Sequence, residues 1–270
     1  MTEVVRTIAE LRRRLDGAEQ PVGLVPTMGA FHDGHRALMR AARTECETVV
    51  VSLFVNPAQF GSGEDLGRYP RDLDRDVAIA ADERADILFV PDREEIYPPG
   101  FATWVSVEGF DGVLEGASRP GHFRGVATVC LKLFLVTRPD RAYFGQKDAQ
   151  QVALIERLIV DMALPITLRV APTVRDHDSL ALSSRNVYLT DRQRSAAAAL
   201  PGALRTGLRA WRSGADPVTA AREALMGSPG ITLDYVDIGP WQPRTLVVAI
   251  RVGDIRLIDN VPLTSESVEP

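Results

Sequence analysis

The chain has 270 residues, 45% of them hydrophobic and 25% charged, with a formal net charge of −5. That balance marks a globular protein and argues against disordered, collagenous and membrane-spanning classes. The negative charge argues against a general nucleic-acid binder, although a local basic pocket is still compatible with a small anion, and the length suits one large domain with a smaller companion.

In chain order, residues 1–16 set Val4, Val5, Ile8, Leu11 and Leu15 among Arg and Glu. This spacing predicts an amphipathic helix rather than an export leader with an apolar centre. Residues 22–26 predict a short buried strand closing into Thr27-Met28-Gly29, and 34–44 have helical spacing. The β-branched run 48–55 reads as a strand buried on both faces, hence as part of a parallel sheet. A helix over 72–84 and a strand over 86–90 follow, then a break at Pro98-Pro99-Gly100. Helices over 122–137 and 149–162 alternate with strands over 142–144 and 166–171. Repeated βα units of this kind predict an α/β fold with a doubly wound, Rossmann-like parallel sheet. No apolar run approaches the ~18 residues needed to cross a bilayer.

The pattern changes near Pro172. A polar loop, Ala-rich helices over 191–212 and 217–226, and β-type runs over 232–238, 246–252 and 255–258 predict a smaller α+β domain, with Gly253-Asp254 as a hairpin turn. The expected division is 1–173 and 174–270. Cys46 and Cys130 are too far apart for a local metal or redox motif and read as buried, idle thiols.

Of the 31 basic residues 29 are Arg, and the only lysines are Lys132 and Lys147. A lysine retained in such a background suggests a site that wants a compact ammonium rather than a planar fork. Lys132, in mid-helix among Leu131, Leu133 and Phe134, reads as a snorkelling side chain. Lys147, in Phe144-Gly145-Gln146-Lys147-Asp148 between a strand and a helix, falls where ligands bind in open parallel sheets.

The familiar phosphate motifs are missing. There is no P-loop, and Gly61, Gly63 and Gly67 miss the dinucleotide spacing by one residue. The stronger feature is His32-Asp33-Gly34-His35 at the entry to a helix, where N–H groups and the positive dipole end favour an anion. The imidazoles can donate hydrogen bonds to phosphate, and Gly34 is expected to let a phosphate approach the backbone. Zinc fits poorly, because neither Cys is close in sequence and H-E-x-x-H spacing is absent. Leu182-Ser183-Ser184-Arg185-Asn186 adds two hydroxyls and a guanidinium suited to a triphosphate, although alone it also reads as a helix cap.

Together with Pro26-Thr27-Met28-Gly29, Phe54-Val55-Asn56-Pro57 with Gln59-Phe60, and Arg119-Pro120-Gly121-His122-Phe123-Arg124-Gly125, these motifs resemble, in order and over about residues 22–260, the pantothenate synthetase (pantoate–β-alanine ligase) family. This is a nucleotidyltransferase-superfamily group with an H-x-G-H motif. The resemblance implies that pantoate attacks the α-phosphorus of ATP, releasing pyrophosphate, and that β-alanine then attacks pantoyl adenylate to give pantothenate and AMP. It implies an ATP site formed by Met28, Gly29, Ala30, Phe31, His32, Asp33, Gly34 and His35, with Gly145, Gln146, Lys147, Asp148, Val174, Leu182, Ser183, Ser184 and Arg185. Among these, His32, His35, Lys147, Ser183, Ser184 and Arg185 would act on the phosphates. Gln59 and Gln151 would bind pantoate, and Mg2+ would accompany ATP.

The resemblance also implies a cytoplasmic homodimer with the small domain as a lid, and no nucleic-acid or membrane partner. The sequence departs from the family at Gln146, where Glu is frequent, and at Ser179, where Gly is usual, which puts the mobility of that loop in question. The C-terminal domain is also somewhat short. Whether an acidic residue such as Asp76 touches the metal is left open by the sequence. Two other readings also stay open: a nucleotidylyltransferase that stops at a nucleotidylated product, and a nucleotide-sensing module without catalysis.

Overall fold

The computed structural model describes residues 2–270. The helix expected over 1–16 divides: Glu3–Val5 is a strand, β1, and only Ile8–Leu15 is helical, α1. The reason lies in the chain itself. Thr7 Oγ1 accepts from the Glu10 N–H at 3.2 Å, and the Glu10 carboxylate accepts from the Arg6 N–H at 3.3 Å. The Thr7 N-cap, with Glu10 also holding the N–H of the residue before it, starts the helix at Ile8 and leaves Glu3–Val5 to pair in parallel with Ile87–Phe89.

There follow β2 (Val22–Thr27), α2 (Asp33–Glu45), β3 (Thr48–Leu53), α3 (Leu73–Asp82), β4 (Ile87–Phe89), the short α4 (Arg93–Ile96) and α5 (Leu114–Ser118), α6 (His122–Thr137), β5 (Arg141–Gly145), α7 (Ala149–Asp161) and β6 (Thr167–Ala171). The strands form one six-stranded sheet in the order β1-β4-β3-β2-β5-β6, parallel throughout. Val49, Val50 and Val51 of β3 are wholly buried, as a central parallel strand covered on both faces requires. Leu38, Met39 and Ala42 of α2 share a core with Ile79 of α3 and with Val25, Val51 and Leu88 of the sheet. From β2 the chain winds outwards on one side through β3 and β4 and on the other through β5 and β6. The carboxyl end of β2 is therefore a switch point, where open α/β sheets bind ligands.

The chain separates into two compact units, one running to Gly145 with Leu154–Ala171, the other made of Gln146–Ala153 with Pro172–Pro270. The break thus falls at Ala171/Pro172, and Gln146–Ala153, expected in the first domain, groups with the second. Asn260 of the second unit ties the start of this segment, its Nδ2 donating to the carbonyls of Gln146 (2.9 Å) and Lys147 (2.8 Å) and its Oδ1 accepting from Gln146 Nε2 (3.1 Å).

The second unit contains α8 (Asp191–Ala197), α9 (Ala199–Arg212), α10 (Pro217–Leu225) and an antiparallel sheet β7 (Thr232–Gly239), β8 (Thr245–Val252) and β9 (Ile255–Pro262). The single helix expected over 191–212 breaks at Ala198, because Pro201 offers no N–H and its ring would meet the carbonyl of Ala197. Leu200, Leu204 and Leu208 line the inner face of α9 and share a core with Leu246, Val248 and Ile250 of β8. Val252 pairs with Ile255 across Gly253-Asp254, and Gly253 has φ +60°, as a two-residue hairpin with Gly at the first central position needs. Among the described residues no helix is long and apolar enough to cross a membrane.

Candidate active site

The histidine loop leaves the carboxyl end of β2. Thr27 Oγ1 donates to the Ser52 carbonyl at 2.6 Å, tying the end of β2 to β3. The next turn is held from below by Asp76 of α3, only 1% exposed, whose two carboxylate oxygens accept the N–H groups of Ala30 and Phe31, each at 2.8 Å. These bonds hold Ala30 at φ +53°, a left-handed conformation costing a non-glycine residue about 1 kcal/mol. Burial pushes the Asp76 carboxyl above the usual carboxylate range, opposed by the two N–H bonds.

His32 is the N-cap of α2. Its Nδ1 accepts from the Gly34 N–H at 3.1 Å, while His35 Nδ1 accepts from the His32 N–H at 3.3 Å. Both Nδ1 atoms are thus acceptors, so in the neutral rings the proton belongs to Nε2. The rings lie with centroids 4.1 Å apart. The expectation for Gly34 changes: a Cβ there would lie 2.8 Å from His32 Cε1, so the missing side chain makes room for the histidine ring itself rather than for a phosphate.

Gln59 lies in the loop after β3, on the 3-10 turn Pro57–Gln59. It is 8% exposed and is held by three side chains, one from the cap of its own turn and two at and just before the start of α6. Its Oε1 accepts from Asn56 Nδ2 at 2.9 Å. Its carbonyl accepts from His122 Nδ1 at 2.9 Å and from Arg119 Nη2 at 3.3 Å. Since a carbonyl can only accept, His122 carries its proton on Nδ1, and its Nε2 accepts from Arg119 Nη1 at 3.2 Å. Burial, reinforced by the adjacent Arg119 charge, lowers the His122 pKa to about 4. Arg119 also forms a two-pronged ion pair with Glu64 at 2.9 and 2.7 Å. The whole arrangement depends on Gly125 of α6, where a Cβ would lie 2.3 Å from the Ala58 carbonyl oxygen.

In the second unit, Gln146–Asp148 forms a 3-10 turn pinned by Asn260, and Lys147 Nζ lies 3.6 Å from Asp148 Oδ1. Gln151 is half-buried on the first turns of α7. Arg175 and Ala181 bridge a tight hairpin in which the Ser179 N–H donates to Asp176 O and the Asp176 N–H to Leu180 O, each at 2.9 Å. Ser179 sits at φ +67°, in the left-handed position where such a hairpin normally places Gly. The hairpin is braced by the ion pairs of Arg175 with fully buried Asp259 (2.6 Å) and of Arg194 with Asp178 (2.7 Å) and Asp176. Hydrogen bonds from His177 and Arg194 hold the Asp176 carboxyl down at about 2. The Leu182 N–H donates to Val174 O at 3.0 Å. Ser183 caps the 3-10 turn Ser184–Tyr188, accepting from the Arg185 N–H at 3.3 Å, so the cap reading of this motif is realised.

Lys132 of α6 makes contacts that the sequence did not announce. The half-buried side chain donates from its ammonium to the Ile96 carbonyl, and that ammonium lies 5.3 Å from the centre of the Phe101 ring. Cys46 and Cys130 are buried and free. A polar cleft of about 580 Å³ lined by Arg43, Glu47, Arg84 and Asp86 among others opens at the amino ends of the strands and contains none of the candidate residues.

The sequence therefore placed the histidine loop and Gln59 on neighbouring strand ends, β2 and β3. It named Asp76 only as an open question about the metal and missed its role beneath the histidine loop, for which nothing in the sequence distinguishes it from Asp72 and Asp74. It quoted Asn56, Arg119 and His122 only as parts of motifs, without a role.

A parallel sheet with its chemistry at the switch-point end, and a histidine-capped helix there, define a nucleotide-binding α/β enzyme. The sequence profile of pantoate-beta-alanine ligase matches residues 3–262. Curated relatives include pantothenate synthetases of Roseiflexus sp. (strain RS-1), 48% identical with 96% of this chain and 99% of that protein covered, and of Chloroflexus aurantiacus, 47% identical with 98% and 99% covered. Similar solved structures are the pantothenate synthetase of Thermus thermophilus (TM-score 0.92, 46% identity, 97% and 99% covered) and the pantoate-beta-alanine ligase of Francisella tularensis complexed with beta-gamma ATP and beta-alanine (TM-score 0.83, 35% identity, 96% and 97% covered). The chain belongs to the pantoate-beta-alanine ligase family.

Proposed function

We infer that this chain condenses pantoate with β-alanine at the expense of ATP, forming pantothenate, AMP and pyrophosphate. In the first step a pantoate carboxylate oxygen bonds to the α-phosphorus of ATP, and the bond to the bridging oxygen breaks to release pyrophosphate. In the second the β-alanine amine attacks the acyl carbon of pantoyl adenylate, loses a proton, and AMP leaves. Such displacements depend mainly on positioning and charge neutralisation.

The observation that carries the reading is the histidine loop. Asp76 and the α2 cap fix both imidazoles with Nδ1 engaged, so that each Nε2–H is the nitrogen suited to donate to a phosphate oxygen as charge develops. Within this proposal Met28, Gly29, Ala30, Phe31, His32, Asp33, Gly34 and His35 bind ATP. Gly145, Gln146, Lys147, Asp148, Val174, Leu182, Ser183, Ser184 and Arg185 are assigned to the same nucleotide, the ammonium, hydroxyls and guanidinium to its phosphates. Gln59 and Gln151 are assigned to pantoate. Magnesium enters bound to the nucleotide, and no side chain is assigned to it.

Two buried free thiols suit a cytoplasmic setting, and by likeness to the family the working form is a homodimer, a state that light scattering on the purified chain would test. AMP release that requires β-alanine as well as pantoate is the expected result of an end-point assay. A stable adenylylated product formed without β-alanine would instead mark a nucleotidylyltransferase.

A further inference from the structure

Asn56 is 1% exposed and uses its full hydrogen-bonding capacity. Its Oδ1 accepts from the Ala58 N–H at 3.2 Å and from Tyr97 OH at 2.8 Å, and its Nδ2 donates to the Gly125 carbonyl at 3.1 Å and to Gln59 Oε1 at 2.9 Å. An N–H can only donate and a carbonyl can only accept, so Ala58 and Gly125 fix the direction of this amide. The direction passes on: Gln59 must turn its oxygen to Asn56 and its NH2 group away. Among the described residues that NH2 group has no protein acceptor, and it is not sealed from solvent.

Tyr97 closes the other end of the chain. Its ring is gripped by Phe101 in an edge contact at 5.0 Å, by Trp104 stacked at 5.9 Å and by Phe54 at 6.1 Å. The hydroxyl is therefore delivered from a fixed position, and burial keeps it protonated as a donor.

We propose that Tyr97 is a positioning residue for the acid substrate, acting through Asn56 to hold the Gln59 amide with its N–H groups outward, so that this position takes an oxygen acceptor such as a carboxylate. The proposal rests on the assignment of Gln59 to pantoate and adds to it a direction and a support.

The test is steady-state kinetics on Tyr97→Phe, Gln59→Ala, Gln59→Glu and the double variant Tyr97→Phe/Gln59→Ala. Tyr97→Phe keeps every ring contact and removes one hydrogen bond, so the KM for pantoate should rise about 3- to 10-fold with the KM for ATP within twofold. In the Gln59→Ala background the same change should have no further effect on pantoate, because its route is gone. Gln59→Glu keeps the oxygen facing Asn56 and puts a carboxylate oxygen where the NH2 group was, so it should impair pantoate binding more than Gln59→Ala does. A Tyr97→Phe variant with an unaltered pantoate KM, or with an equal effect with and without Gln59, overturns the proposal. So does a Gln59→Glu enzyme that binds pantoate better than Gln59→Ala. If Gln59→Ala alone leaves the pantoate KM unchanged, the assignment beneath the proposal is what has failed.

Discussion

Protonating His122 should undo the fold locally, and the size of the effect follows from its contacts. In the folded chain its Nε2 accepts from Arg119, and a second proton would set N–H against N–H beside a cation. Burial and that cation lower its pKa from 6.5 to about 4. The folded state therefore refuses a proton that the unfolded chain accepts. The stabilisation is fully present above about pH 6.5, is lost as the pH falls through the interval, and is gone below about 4. A shift of this size corresponds to about 3 kcal/mol over the whole interval and about 2 kcal/mol between pH 7.5 and 5. In a chain of this size 2 kcal/mol is roughly 4–8 °C of melting temperature.

The perturbation is His122→Gln, whose amide can donate to the Gln59 carbonyl and accept from Arg119 but does not titrate. Thermal melts of both proteins at pH 7.5, 6.5, 5.5 and 5 supply the comparison. The variant should start lower, having lost the ring contact with Phe123 at 5.0 Å, but should fall less steeply, so that the gap narrows by roughly 4–8 °C at pH 5. Parallel curves would refute the assignment of a neutral, Nδ1-protonated ring.

At position 179, a left-handed residue in a tight hairpin, stability should rank Gly above Ser above Val. The gain from Ser179→Gly is a few tenths to about 1 kcal/mol and the loss from Ser179→Val is larger, and chemical denaturation that finds Val equal to Ser would contradict the hairpin geometry. Lys147→Ala should lower adenylate formation by about 100-fold or more with an unchanged circular dichroism spectrum. Lys147→Arg should not restore it if a compact ammonium is required, and an Arg enzyme within a few-fold of the parent would refute that requirement.

The strands and helices around β2, β3 and α6 were legible because each has a strong period or a continuous β-branched run, and local preference and burial agree. β1 was not legible: Glu3–Val5 takes its identity from pairing with β4, a contact 84 residues away along the register Glu3↔Ile87. The cap that starts α1 was present in Thr7 and Glu10 and would have divided the segment correctly. The break at Ala198 was likewise written in Pro201. For the site, motifs named the loops but not their supports. Asp76 works through geometry, reaching the N–H groups of Ala30 and Phe31 across 45 to 46 positions, and no local spacing announces that. The polarity of Gln59 is a property of a chain of amides and a carbonyl from α6, visible only once α6 lies against the 3-10 turn.

Adenylation before amide formation is the chemical core, and isotope exchange between ATP and pyrophosphate isolates it. With labelled pyrophosphate, ATP and no β-alanine, label should enter ATP only when pantoate is added, and adding β-alanine should divert the intermediate to AMP and pantothenate. Exchange that proceeds equally without pantoate, or no exchange under conditions where pantothenate forms, would contradict a pantoyl adenylate made at this site.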